Sequence, residues 1–528
     1  MQQKEFFFMY SKALSMYKAG RYDEALSLLS KYETDSGLQT LQGGLLKSAI
    51  LRDTGKYIEE ITLLNNLHRE FKNVNDPKGL TELHTMMGEV YSWQGDNESS
   101  LENYLQAVRL APNPQRKIQA IGSVLFTLNA MESMSAEEMQ ALYALYRETM
   151  VKLNIQAYST PKWQHKKIRV GYLSADFCKH AVSQFIRPLL FDFDNKKFLI
   201  YVYQINDKVD HVTTQLQKAP VYWRNMAYKD IAKVAEVVRD DEIDILFDLG
   251  GHTKNNMLPV FAYRPAKIQI SGIGYFNSTG IYECDGFLSD VYCAPMTESP
   301  YFTEKLLRLP HTHFCYQPYN SFPEVTLPPS LKRGYITFGS FNNFAKVNDE
   351  VLSLWSEILQ QVPESRLLLK HRLMGTEAGR KYISNRLLKH GLPIERIEMR
   401  GLSTDYLAEY GDMDIALDTF PYPGGLTTCE ALFMGVPVVT LIGDRHGARF
   451  GFSFLSNLGI SELAARSKDE YVSIAVALAK DIELLIALRQ NLRSTMKKSP
   501  LMDGKAYMRD LEGLYQSLIA NMKKITKT

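Results

Sequence analysis

A chain of 528 residues exceeds what one hydrophobic core supports and predicts two or three domains. Hydrophobic residues make up 45% and charged residues 23%, the balance of a globular protein rather than a disordered one. A formal net charge of +2, with no basic domain or stripe, argues against a dedicated nucleic-acid binder. The five cysteines, Cys178, Cys284, Cys293, Cys315 and Cys429, fall in no CxxC or metal-ligand spacing, and an odd count suits reduced thiols. The opening stretch MQQKEFFFMYSKAL holds an apolar cluster too brief for a signal-peptide core or a membrane span, so a cytoplasmic protein is expected.

Residues 1–158 read as helical throughout. Gly20, Gly55 and Gly95 sit in the turns KAGRYDEAL, DTGKYIEEI and WQGDNESSL, 35 and then 40 residues apart, against the roughly 34-residue tetratricopeptide period. The third repeat fits best, with Gly88, Tyr91, Ser100, Tyr104, Ala107 and Pro112 on the small, aromatic and proline positions of that pattern. In the second, Glu60 stands where alanine is usual. Such an array stacks into a short superhelix whose concave face takes peptides or partner proteins, or serves as a docking platform. Lys117 to Asn154 continues as helix across a polar break, MESMSAEEM.

The polar segment Ala157 to Lys167 marks a boundary, after which strand and helix alternate. Ile168 to Asp176, FLIYVYQI, IDILFDLGG and AKIQISGIGYF read as strands, and YKDIAKVAEVVRDD reads as a helix. This is an open α/β sheet over residues 159–332, whose ligands collect outside the carboxyl ends of its strands. His180 follows the first strand and opens a helix, a position suited to a general base, although isolated histidines are more often structural. His252 in GGHTK carries the same ambiguity, and GYFNSTG supplies flexible backbone and small hydroxyls for a sugar or phosphate, or forms a plain turn.

A second α/β unit spans residues 333–528. Its central feature is Met413 to Leu441, MDIALDTFPYPGGLTTCEALFMGVPVVTL, read as strand, loop, helix, strand. Prolines and the adjacent Gly424 and Gly425 let the loop turn sharply and present free N–H groups at a helix start, and the first-turn N–H groups and helix dipole there favour a diphosphate. Thr427 and Thr428 add hydroxyls. Glu430 lies one turn inside, where a carboxylate can accept from a ribose diol. Upstream, TFGSFNNFAKVND is another strand running into a polar loop, and Lys346 on that loop can meet the same diphosphate as a compact point charge.

The segments RVGYLSADFCKHAVSQF, FDLGGHT, FAYRPAKIQISGIGYFNSTG, LPHTHF, TFGSFNNFAKVN, the Met413–Leu441 stretch and GDRHGARFG occur in that order over about 360 residues. With the helical repeats before them, they resemble the O-linked N-acetylglucosamine transferase family, including its bacterial members. The resemblance implies a tetratricopeptide-like array followed by a two-lobed GT-B glycosyltransferase with two Rossmann-like α/β domains. It also implies an inverting reaction without a metal, no cofactor, a UDP-sugar donor and a protein or peptide acceptor reached through the array. By the same resemblance His180 matches the active-site histidine and Lys346 the lysine that binds the donor diphosphate. Thr427 and Thr428 match the residues that present hydroxyls and N–H groups to the phosphates, and Glu430 the ribose-binding acid. Tyr406 stands where a histidine often lies beside the uracil, and Asn343 replaces a glutamine before the lysine. Gly425 and Leu426 replace a His-Thr pair of some members.

The expected reaction is attack by an acceptor hydroxyl on the anomeric carbon, with UDP leaving. Lys346 and the N–H groups at Thr427 and Thr428 absorb its developing charge, and His180 is the candidate base. Two alternatives stand beside this reading: transfer of a hexose to asparagine, and a repeat scaffold that only binds nucleotide.

Overall fold

The computed structural model describes residues 2–36, 40–132, 134–296 and 299–525. Helices Gln2–Lys18 and Tyr22–Ser36, Leu41–Asp53 and Tyr57–Phe71, and Pro77–Trp93 and Asn97–Leu110 form three antiparallel pairs. They are followed by Pro114–Thr127 and Ala136–Val151. Gly20, Gly55 and Gly95 occupy the turns with φ of 74°, 77° and 75°, a left-handed backbone that favours glycine. In the third pair Gly88 lies against the Tyr104 ring, where a Cβ would come within 2.7 Å, and Ser100 Oγ donates to Gly88 O at 2.8 Å. Small and aromatic residues at those positions therefore bring the two helices close. Glu60 is fully buried and accepts from Arg52 at 2.7 Å and Ser48 at 3.1 Å, so an ion pair replaces the usual small residue.

Two parallel sheets follow. In the first lobe β1 (Ile168–Ser174), β2 (Phe198–Gln204), β3 (Tyr222–Asn225), β4 (Ile245–Asp248), β5 (Ile268–Ser271), β6 (Gly286–Asp290) and β7 (Lys305–Leu309) lie in the order β3-β2-β1-β4-β5-β6-β7. In the second, β8 (Thr337–Ser340), β9 (Arg366–Lys370), β10 (Ile397–Arg400), β11 (Ile415–Leu417), β12 (Val438–Leu441) and β13 (Ala464–Ala465) lie in the order β10-β9-β8-β11-β12-β13. Central strands such as β4 are buried along their whole length, as parallel strands covered on both faces require. The strand expected through Phe276 ends at Ser271. Gly272 and Ile273 have φ of 151° and 68°, and the chain leaves the sheet as a loop.

Strand order reverses between β1 and β4 in one lobe and between β8 and β11 in the other, so each sheet has a switch point where crossover helices diverge and leave a crevice. The last helix, Gly504–Ile525, packs back on the first lobe: Tyr515 and Tyr172 hydroxyls meet at 3.3 Å, and Tyr507 donates to His313 O at 3.0 Å. No helix of the described residues is long and apolar enough to cross a membrane.

Candidate active site

The second lobe's switch point holds the loops after β8 and β11, and together they carry most of the expected donor-binding residues. Asn348 fastens the loops together. Its Oδ1 caps helix Asp349–Gln361 by accepting from Val351 N at 2.9 Å, and its Nδ2 donates to Phe420 O at 2.8 Å. Asp418, 2% exposed at the end of β11, accepts from Gly424 N at 2.7 Å, Thr419 N at 3.0 Å and Thr440 Oγ1 at 2.9 Å. That carboxylate folds the PYPGG segment back over the strand end.

Helix Leu426–Phe433 begins at Gly425, which gives no side-chain cap. Its first backbone acceptor, Gly425 O, receives Cys429 N at 3.2 Å, so the N–H groups of Leu426, Thr427 and Thr428 precede the intrahelical ladder. The two glycines differ. A Cβ on Gly424 would meet Thr428 Oγ1 at 2.3 Å and Thr427 Oγ1 at 2.6 Å, whereas one on Gly425 would meet nothing within 4 Å. Gly425 also has φ of −105°, outside the left-handed region. No contact within the chain requires glycine at that position.

Lys346 ends the turn Phe344–Lys346 and reaches across to the second loop. Its Nζ donates to Pro423 O at 2.8 Å and lies 3.8 Å from the centre of the Tyr422 ring. Withdrawal from solvent lowers its pKa to about 8, against the opposing pull of Asp418. A partner carbonyl and a ring face leave the charge only partly compensated. Tyr422 in turn packs on Phe276 of the first lobe, with ring centres 4.4 Å apart, which sets Lys346 at the junction of the lobes.

Glu430 is 2% exposed and lies under two tyrosines: Tyr406 donates to it at 2.6 Å and Tyr410 at 3.3 Å. Burial raises its pKa to about 7 despite those donors. Tyr406 thus joins Glu430, as the expected donor-binding pair. Asn343 is exposed and is engaged in capping its own turn, accepting from Ala345 N at 3.3 Å. Its neighbour Asn342, missed in the sequence, is the one turned inward: 7% exposed, it accepts from Thr427 Oγ1 at 2.7 Å and donates to Asp418 at 3.2 Å. The only sequence signal for it was the doubled asparagine itself.

His180 stands apart from this group, on the first lobe. It is exposed, with Nδ1 3.5 Å from Asp176 and accepting from Val182 N at 3.3 Å. His252 is locked: Nε2 bonds Thr279 O at 2.8 Å, the ring lies between Tyr146 and Tyr275, and burial lowers its pKa to about 4. It joins the helical region to the lobe as a neutral imidazole. The hydroxyls of GYFNSTG also face inward, with Ser278 Oγ donating to Glu304 at 2.6 Å and Thr279 N to the same carboxylate at 2.7 Å. The third repeat turn docks on the loop that carries Lys346: Asn97 donates to Ala345 O at 3.2 Å, and Arg386 bridges Gln94 O at 2.7 Å and Val347 O at 2.9 Å.

Known proteins match this architecture. A solved structure of a Thermobaculum terrenum O-GlcNAc transferase mutant superposes with a TM-score of 0.88 at 27% identity, covering 98% of each chain. A probable UDP-N-acetylglucosamine–peptide N-acetylglucosaminyltransferase SPINDLY from Petunia hybrida is 39% identical over 369 residues, 69% of this chain and 40% of the relative. The Arabidopsis thaliana protein SEC, described by the same probable activity, is 27% identical over 364 residues, 66% of this chain and 37% of the relative. This chain therefore spans less than half the length of the curated plant relatives it matches. The sequence profile of glycosyl transferase family 41 aligns with residues 110–328 and 329–511, which takes in both switch points and the last two helical elements before them, and the chain belongs to that family.

Proposed function

We propose that this protein transfers a sugar, N-acetylglucosamine or another hexose, from a UDP-sugar to a hydroxyl of a protein or peptide. The observation that carries the reading is that Lys346 reaches across to the loop leading into the uncapped start of helix Leu426–Phe433, with open space in front of Gly425. The acceptor oxygen bonds to the anomeric carbon as the bond to the diphosphate breaks. The negative charge passes to the diphosphate, where Lys346 and the N–H groups of Thr427 and Thr428 stabilise it. Glu430 and Tyr406 hold the nucleoside. The transfer inverts the anomeric centre and needs no divalent cation, since those donors take the role one would fill. His180 is the candidate acceptor-side base, its proton partner the attacking hydroxyl. The acceptor reaches the interlobe cleft along the helical array. Five buried free thiols fit a reducing compartment, the cytoplasm.

Calorimetric titration of UDP tests the reading, with GDP as a parallel arm and Lys346→Ala as the variant. The expected result is UDP binding that weakens at least tenfold, about 1.4 kcal/mol, in the variant. Preference for GDP would overturn the donor, and failure to bind either nucleotide would overturn transfer. Product analysis with a UDP-hexose should show no gain on adding magnesium or manganese.

A further inference from the structure

Two of the segments quoted above, LPHTHF and GDRHGARFG, lie outside the donor pocket, yet the fold brings one histidine from each to a buried cysteine. Cys293 follows β6, His313 follows β7, and His446 follows β12 on the other lobe. They are 2%, 1% and 5% exposed, and one ring nitrogen of each histidine and the sulfur lie within 4.8 Å of one another. The proton positions on both rings are set by their neighbours. His313 Nδ1 lies 2.5 Å from Asp290 Oδ2, and His446 Nδ1 lies 3.1 Å from Phe276 O. A carbonyl oxygen, like a carboxylate, only accepts, so each Nδ1 carries the hydrogen and each Nε2 of a neutral ring presents a lone pair. Both Nε2 atoms are buried without a hydrogen-bond partner, toward each other or anything else. Buried polar atoms are ordinarily satisfied, and two orphans beside a thiol need a reason. The bonds from Nδ1 to Asp290 and to Phe276 O account for one nitrogen of each ring and leave both Nε2 atoms unexplained.

We propose that Cys293, His313 and His446 form a metal site that joins the two lobes, taking a borderline-soft d10 cation, zinc(II) or copper(I). A thiolate with two imidazoles is the donor set such ions favour. A ring N–H held by a carboxylate or a carbonyl is the supporting arrangement of metal-bound histidines, and Asp290 and Phe276 provide one of each. Asp290 is itself fixed by Cys293 N at 2.7 Å, His313 N at 3.1 Å and Ser453 Oγ at 3.0 Å, so it orients rather than ligates. With metal–sulfur and metal–nitrogen distances near 2.3 and 2.0 Å, ligand atoms stand about 3.5 Å apart, so loading draws the three together by little more than about 1 Å. The thiol proton is released to solvent as the metal–sulfur bond forms. Because the ligands come from both lobes, opening the cleft exposes the site, and a bound ion holds the lobes together at the Phe276–Tyr422 junction.

The test uses the full chain, stripped by a chelator under reducing conditions. It is titrated with zinc(II) against a chromophoric competitor and, anaerobically, with copper(I) against bicinchoninate. One equivalent of either ion is expected, with a rise in Tm. Cys293→Ser and His446→Gln should each weaken binding at least hundredfold, and Asp290→Asn about 10–100-fold. Cobalt(II) loading of the unmutated chain should give a thiolate charge-transfer band, a reading that needs no variant to fold. Competition by neither ion, absence of that band, or binding unchanged in a folded Cys293→Ser chain would each overturn the site.

Discussion

The two lobes repeat one construction, a parallel sheet with a switch point, and differ in what their loops do with polar groups. In the first lobe, the loop after β4 closes on itself: Asp248 accepts from Gly251 N at 2.7 Å and Ser271 Oγ at 2.8 Å, and its pKa rises to about 6 through burial. Ser278, Thr279 and His252 are likewise engaged within the lobe or against the preceding helices. In the second lobe the same kind of loop leaves a helix start uncapped and an ammonium whose hydrogen-bond partner is a backbone carbonyl. The two loops share the strand-loop-helix motif and differ in the groups they leave unpartnered.

The largest effect is expected at Lys346. Lys346→Ala should lower sugar transfer at least hundredfold, as loss of a charge-stabilising donor does; steady-state turnover with a UDP-sugar checks it, and near-normal turnover would remove the lysine from the reaction. Next is Gly424→Ala, which puts a methyl group into Thr427 and Thr428 and should cost at least tenfold in UDP affinity. Gly425→Ala enters open space and should leave the Tm within about a degree while still weakening UDP, a separation read by melting and titration on the same samples.

In the first lobe the effect should fall on stability alone. Ser278→Ala removes a donor to the buried Glu304 and should cost about 1–3 kcal/mol with UDP affinity unchanged, measured by denaturant unfolding. The smallest effect is pH dependence. The free Lys346 titrates at about 8 and a diphosphate raises that value, so UDP affinity should be full below pH 8 and decline as pH rises above it. A flat profile from pH 7 to 9.5 would show that the ammonium does not face the phosphates.

Much of this was legible in advance because periodicity and glycine placement are local. The three turn glycines carry positive φ, and the helices pair as their spacing implies. The half-exposed β3 escaped notice because it lacks the continuous apolar run of a buried strand, and β6 and β7 because polar residues interrupt theirs. Within the candidate site Lys346 reaches the loop that leads to Gly424, Thr427 and Thr428, and Tyr406 meets Glu430 on the helix that follows. Asn343 faces out and Asn342 faces in, since a one-residue change of position past a strand end reverses the side chain's direction.

Sequence by itself determined the helical array, the two alternating α/β units and the loops that could meet a phosphate, since hydrophobic period, turn residues and helix-start chemistry act over a few neighbouring positions. Tertiary structure alone decided which polar groups remain free. Only there is His252 pinned between two tyrosines, does the third repeat turn close on the Lys346 loop, and do Cys293, His313 and His446 meet from two lobes. The reason is physical: whether a buried group has a partner depends on atoms brought close by packing, and those atoms lie far apart along the chain.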